Sequence, residues 1–132
     1  MVNLQDNEKI KKILEFDNDF DRFEYITDIA LEMKEFPEIR TEDNKIKNCE
    51  TGVYYRISEE DGKYRLELES DSLYIKGLYC IYSEMVYNLG VDEIMNLHYY
   101  DFLKSNGILP YDRYKGLGNV EEKLKEFIKK KG

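Results

Sequence analysis

Between Val53 and Glu69 apolar residues fall at alternate positions on either side of Glu59-Glu60-Asp61-Gly62: Val53, Tyr55 and Ile57 before it, Tyr64, Leu66 and Leu68 after it. Two half-buried strands joined at an Asp-Gly turn satisfy this pattern, an antiparallel hairpin with one face on a core. A long apolar run follows at once. Ile75, Leu78, Tyr79, Tyr82, Met85 and Val86 recur at helical spacing from Leu73 to Leu89, with Asp71 or Ser72 as the cap and Gly90 as the stop. Gly77 inside that helix offers a place where another backbone can approach closely. A hairpin running straight into a wide apolar helix restricts the chain to folds that lay helices on one face of a small sheet.

The flanks are helical. Asp6 or Asn7 can cap a short helix carrying Ile10, Ile13 and Leu14, and Asp17-Asn18-Asp19 stops it and starts the next. That second helix is expected over Phe20 to Glu35, with Phe23, Ile26, Ile29, Ala30 and Met33 as a core stripe, ending before Pro37. Asp92 to Asn96 and Tyr99 to Ser105 read as short helices, closed by Asn106-Gly107. The last helix begins near Asp112 or is capped by Asn119 with Glu122 three residues on. Its stripe, Leu117, Val120, Leu124, Phe127 and Ile128, favours the earlier start. The expectation is one α+β domain over residues 1–132, a small antiparallel hairpin sheet packed with about five to six helices. Because two strands alone are marginal, the polar loop from Glu38 to Asn48 or another segment can supply a third.

Composition narrows function. A net charge of −8 argues against nucleic acid, whose phosphates an acidic surface repels. Charges interrupt Met1 to Glu15, and no apolar run approaches the ~20 residues of a membrane span, so neither a secretory leader nor a membrane segment is expected and a cytoplasmic chain is inferred. In that compartment both cysteines are expected to stay reduced. Two cysteines and one histidine, His98, do not make a cysteine-rich zinc site; a mixed site with carboxylates stays open but has no spacing to support it, and no metal or cofactor of its own is expected.

The cysteines differ. Cys80 lies mid-helix between Tyr79 and Ile81 and reads as a buried core thiol, whereas Cys49 ends a polar loop carrying Arg40, Lys45 and Lys47. Nearby cations favour the thiolate, the nucleophilic form, although Glu50 opposes this. From the residues alone a reactive Cys49 and an inert surface thiol stand level. A hydrolytic cysteine enzyme needs a base beside the thiol, and His98, far along the chain at an expected helix start, reads as packing. There is no Cys-x-x-Cys and no phosphate-cradling loop around Gly116-Leu117-Gly118.

The segment Asn48-Cys49-Glu50-Thr51-Gly52-Val53-Tyr54 resembles the cysteine motif of the SufE family, Gly-Cys-Gln-Ser-x-Val-Trp. Asp71 followed by Ile75-Lys76-Gly77-Leu78 is similar to the family's Asp and Val-Lys-Gly-Leu at the same spacing. Leu109-Pro110, Arg113 and Gly116-Leu117 resemble its C-terminal Leu-Thr-Pro, Ser-Arg and Gly-Leu elements, and Phe36-Pro37-Glu38-Ile39-Arg40 its Leu-Pro-Glu-Leu-Arg. Asn48, Glu50, Thr51 and Tyr54 depart from the motif, and the loop before Cys49 is several residues short.

The resemblance implies the fold that this family shares with iron–sulfur scaffold proteins, and a sulfur acceptor, not a stand-alone enzyme. Sulfur would pass from a pyridoxal-phosphate cysteine desulfurase to Cys49 as a persulfide, and on to a downstream iron–sulfur scaffold. The acceptor would also stimulate the desulfurase. Asp71, Lys76, Gly77 and Arg113 would shape the site or bind the partner, and the chain would be a monomer or weak homodimer. A scaffold that builds the cluster itself needs about three cysteine ligands, more than this loop holds. The alternative from another class is a non-catalytic adaptor, its tyrosine-rich surface binding a partner and Cys49 unused.

Overall fold

The computed structural model describes residues 2–47, 49, 51–109 and 116–131. Strands β1 (Val53–Glu60) and β2 (Lys63–Ser70) pair antiparallel, with Tyr55 opposite Leu68 and Ile57 opposite Leu66. Asp61 and Gly62 turn the chain with φ of 54° and 81°, both positive as a type I′ turn requires. Among the described residues no third strand forms. The loop that was expected to supply one touches β1 through a single bridge, Lys45 to Tyr54, and Ile46 N–H donates to Val53 O at 2.8 Å.

Six α-helices accompany the hairpin among the described residues: α1 (Glu8–Glu15), α2 (Asp19–Glu32), α3 (Leu73–Asn88), α4 (Val91–Met95), α5 (Tyr99–Ser105) and α6 (Gly118–Lys131). The architecture is α+β. Asn7 caps α1 by accepting from the Lys9 and Ile10 N–H groups, and Asn18 caps α2 through Asp21 N–H. At α3 the cap is Ser72, whose side chain accepts from Ile75 N–H; Asp71, the other candidate, is engaged elsewhere. Helix α3 is the central element, buried continuously from Ile75 to Tyr82 and packed on β2 and α2. Its aromatic side meets α5, where Tyr79, Tyr82 and Tyr99 lie in one ring cluster and Tyr99 Oη–H donates to Leu78 O at 2.6 Å.

Three boundaries or faces differ from the sequence expectation. Helix α2 ends at Glu32, three residues before Glu35, and Met33 is already extended with ψ of 152°. The reason is tertiary: Phe36 N–H is drawn to a buried carboxylate on β2, so the chain leaves the helix early. Phe23 lies at the edge of α2, 54% exposed, stacked on Tyr74 at 5.5 Å instead of inside the core. Helix α6 starts at Gly118, so Asn119 is its exposed second residue and not its cap; the expected start near Asp112 lies outside the described residues. Leu117, Val120, Leu124 and Ile128 are buried, and half-buried Phe127 meets Tyr64 edge-on at 6.2 Å.

Three contacts fix how the helices sit. A Cβ on Gly77 would overlap the Ile26 carbonyl oxygen of α2, so only glycine permits this approach of the two helices. Glu121 of α6 is buried and accepts from Tyr100 N–H at 2.9 Å, tying α6 to the start of α5, and Lys125 one turn on donates to Leu97 O at 3.1 Å. Burial pushes the Glu121 carboxyl up to about 7, an effect that Tyr100 N–H and Lys125 only partly offset.

Gly77→Ala is expected to lower stability by about 2 kcal/mol, because a backbone carbonyl cannot give way as a side chain can. The thermal midpoint should then fall by about 5–10 °C, and an unchanged midpoint would contradict the close approach. Glu121 makes a pH prediction of definite sign. A carboxyl with a folded value raised above the unfolded one of about 4.3 stabilises the fold when protonated, and that stability is lost as pH rises through about 7. Denaturant unfolding at pH 5 and pH 8 should show a loss on the order of 3 kcal/mol attributable to this group. Glu121→Gln should flatten that slope.

Candidate functional site

Cys49 is half-buried and packs against the hydrophobic core. It lies between Ile46 and Val53, which are joined by the Ile46 N–H to Val53 O hydrogen bond. Gly52, beside Val53, is clasped by the β2–α3 junction. The Gly52 carbonyl accepts from Asp71 N–H at 2.9 Å and from the Ser70 hydroxyl at 2.9 Å, and Ser70 Oγ in turn accepts from Ser72 N–H at 3.1 Å. The Asp71 carboxylate lies against the Gly52 Cα, where any Cβ would overlap Oδ2. The cysteine loop is thus seated on the turn that starts α3.

Beneath the clasp is a network of charges. Glu69, the penultimate residue of β2, is 3% exposed, and its carboxylate accepts from Phe36 N–H at 2.7 Å and Arg40 Nη2 at 3.1 Å and pairs with Lys76 Nζ at 3.4 Å. Arg40 is the hinge of the network. Its Nη1 bonds Asp71 Oδ1 at 2.7 Å, its Nη2 also donates to Ser70 O at 3.0 Å, and the guanidinium lies 5.5 Å from the Tyr54 ring centre. Burial alone would raise the Glu69 carboxyl, but Phe36 N–H, Lys76 and Arg40 outweigh it and hold the group below its usual range. Arg40 is held above its own, first by the hydrogen bond to Asp71.

Asp71, Lys76 and Gly77, expected at the site from motif resemblance, therefore stand at the start of α3 beside the cysteine loop. Asp71 holds Gly52, Lys76 neutralises Glu69, and Gly77 seats α3 on α2. Arg113 lies outside the described residues. Glu69 was not expected here: strict alternation puts it on the polar face with Arg65 and Glu67, yet the strand end carries it inside. The signal for it was Lys76, a cation in an apolar helix that needs a buried partner. The cationic setting read around Cys49 is also changed, because Arg40 is committed to two carboxylates while Lys45 and Lys47 are exposed.

Cys80 is 3% exposed, with its thiol 3.6 Å from Glu84 Oε1, and burial followed by that carboxylate pushes it up to about 12. His98 sits exposed at the start of α5, not packed as expected. Among the described residues no three His, Cys, Asp or Glu side chains converge as a metal site, and no helix is long and apolar enough to cross a membrane. The arrangement presents one half-buried thiol beside the clasped Gly52, a group whose chemistry is thiol exchange.

A sequence model of the SufE family, described as an Fe-S metabolism associated domain, matches residues 7–128. Curated proteins gave no significant match. Among solved structures the chain is similar to the solution structure of a hypothetical protein from Thermus thermophilus. The TM-score is 0.71 at 16% identity, over 98% of this chain and 97% of that one, a likeness of fold.

Alkylation kinetics test the clamp. At pH 8 iodoacetamide should label native Cys49 at least about a hundredfold faster than Cys80, whose thiolate is suppressed. Arg40→Gln, which leaves Asp71 without its ion pair, should speed Cys49 labelling several-fold and cost about 1–2 kcal/mol of stability. An unchanged labelling rate would contradict the anchoring role of Arg40.

Proposed function

The chain belongs to the SufE family, a domain of Fe-S metabolism, and on that premise we propose that Cys49 accepts sulfur from a cysteine desulfurase and carries it to iron–sulfur cluster assembly. The observation that carries the proposal is the seat of Cys49: the thiol falls at the family motif's cysteine, on a loop held by Gly52 against Asp71. The Cys49 thiolate attacks the outer sulfur of the desulfurase's persulfide. A new S–S bond forms on Cys49, the bond to the donor's cysteine breaks, and that cysteine departs as a thiolate with the electron pair. If Cys49 begins as a thiol, its proton passes to solvent or to the departing sulfur. The exchange consumes no external oxidant or reductant.

The supporting residues follow the same logic. Asp71, Lys76 and Gly77 hold the loop's seat, and Arg113 is proposed to steady the loop or the anionic sulfur. The pyridoxal phosphate belongs to the desulfurase, and the chain acts as carrier and activator without a cofactor of its own. The next acceptor is an iron–sulfur scaffold, and the setting proposed for both exchanges is the cytoplasm.

Mixing the chain with the cysteine desulfurase of the same organism, its pyridoxal phosphate and free cysteine should add one reducible sulfur atom in intact-mass measurements. Cys49→Ser should gain none while still binding the desulfurase. Equal sulfur uptake by the variant, or none by the wild type beside an active desulfurase, would contradict the proposal.

A further inference from the structure

Phe20 and Phe23 are three residues apart at the start of α2, and they are 74% and 54% exposed. Helices α2 and α3 run side by side in the same direction, since Phe23 meets Tyr74 and Ile26 meets Gly77. Their first turns therefore lie together. Leu73, the first residue of α3, is 42% exposed there, and Tyr74 is stacked parallel to Phe23 with an interplanar angle of 10°. Tyr74 is itself fixed, its hydroxyl donating to Ile108 O at 2.7 Å. Isolated exposed apolar residues are ordinary, but grouped and partly rigid aromatic ones mark binding surfaces.

The patch adjoins the cysteine loop. Leu73 is two residues from Asp71, Asp71 is bonded to Gly52, and Gly52 is three residues from Cys49. Even along the chain that path is at most about 25 Å, less than the roughly 30 Å breadth of a standard protein interface. A protein bringing a persulfide to Cys49 through an interface of that breadth can therefore span both the cysteine and this patch.

Charge selects the occupant. Asp17, Asp19, Asp21 and Glu24 are all exposed around the two phenylalanines, and Arg22, the one cation among residues 17–24, lies 3.8 Å from Asp19. A second copy placed on the patch would set these carboxylates against their own image, and an anionic membrane would be repelled in the same way. An apolar pocket fringed by lysine and arginine fits.

We propose that Phe20, Phe23 and Leu73, with their acidic rim, form the docking surface for the sulfur-donating desulfurase, which meets them with an apolar pocket bordered by basic side chains. This rests on the reading of Cys49 as sulfur acceptor, and its test separates the two. Binding of the wild-type chain, Phe20→Ser/Phe23→Ser and Asp17→Lys/Glu24→Lys to the same organism's purified desulfurase is measured by calorimetry at low and high salt, with thermal melts for each. The aromatic variant should bind about tenfold more weakly. The charge variant should also bind more weakly and lose most of the wild type's salt dependence. Both should keep the wild-type melting midpoint to within a few degrees, because the altered side chains are exposed.

Unchanged affinity in both variants overturns the proposal, as does a wild-type chain that does not bind. So does self-association that the aromatic variant abolishes while desulfurase binding persists, since the occupant would then be a second copy. Weakened binding by the variants, beside a wild-type Cys49 that gains no sulfur, leaves the docking surface standing and overturns only the acceptor reading.

Discussion

The carboxylate of Glu69 is buried at the end of β2, and a buried charge must be balanced where it sits. The groups that balance it come from three places: Phe36 N–H from the segment after α2, Arg40 from the loop before the hairpin, and Lys76 from the first turns of α3. Each has a further consequence. Drawing in Phe36 ends α2 early, holding Lys76 seats α3, and placing Arg40 brings its Nη1 to Asp71 while the Nη2 that meets Glu69 also reaches Ser70 O. Because Asp71 and Ser70 grip Gly52, the balance of one buried charge reaches the cysteine loop in three contacts, Glu69 to Arg40, Arg40 to Asp71 and Asp71 to Gly52.

The glycines make this arrangement possible at close quarters. Gly52 lets the Asp71 carboxylate lie on the backbone three residues from Cys49, and Gly77 brings the Ile26 carbonyl onto α3 one residue beyond Lys76. The start of α3 thus takes the loop on one side and α2 on the other. The proposed sulfur-carrier role is compatible with such a seat, because thiol exchange asks for access and geometry more than for a neighbouring base.

Much of this was legible in the sequence where local rules decide. The alternation around Asp61-Gly62 sets the hairpin, the apolar stripe from Ile75 to Val86 sets α3, and Cys49 stands out because a polar loop gives way there to a strand. What was not legible depended on distant partners. Glu69 carries the alternation of an exposed residue and is buried only because Arg40 and Lys76 arrive from elsewhere. The same pull removes the last turn expected of α2. Arg40, read as a cation lending charge to Cys49, is committed to carboxylates instead, and Ser72 caps α3 because Asp71 is taken. Phe23 continues the core stripe in sequence but faces outward with Tyr74, where the period places it at the edge of the buried face.

Locating the sulfur at peptide level tests the central claim most directly. After exposure to the active desulfurase and free cysteine, the chain is alkylated, digested with trypsin without reduction and analysed by mass spectrometry. Cleavage after Lys47 and Arg56 isolates Cys49 on residues 48–56, and cleavage after Lys76 and Lys104 isolates Cys80 on residues 77–104. The expected result is an extra sulfur atom confined to the 48–56 peptide and lost on reduction. Sulfur on the 77–104 peptide, or on neither while the desulfurase turns over, would contradict Cys49 as the acceptor.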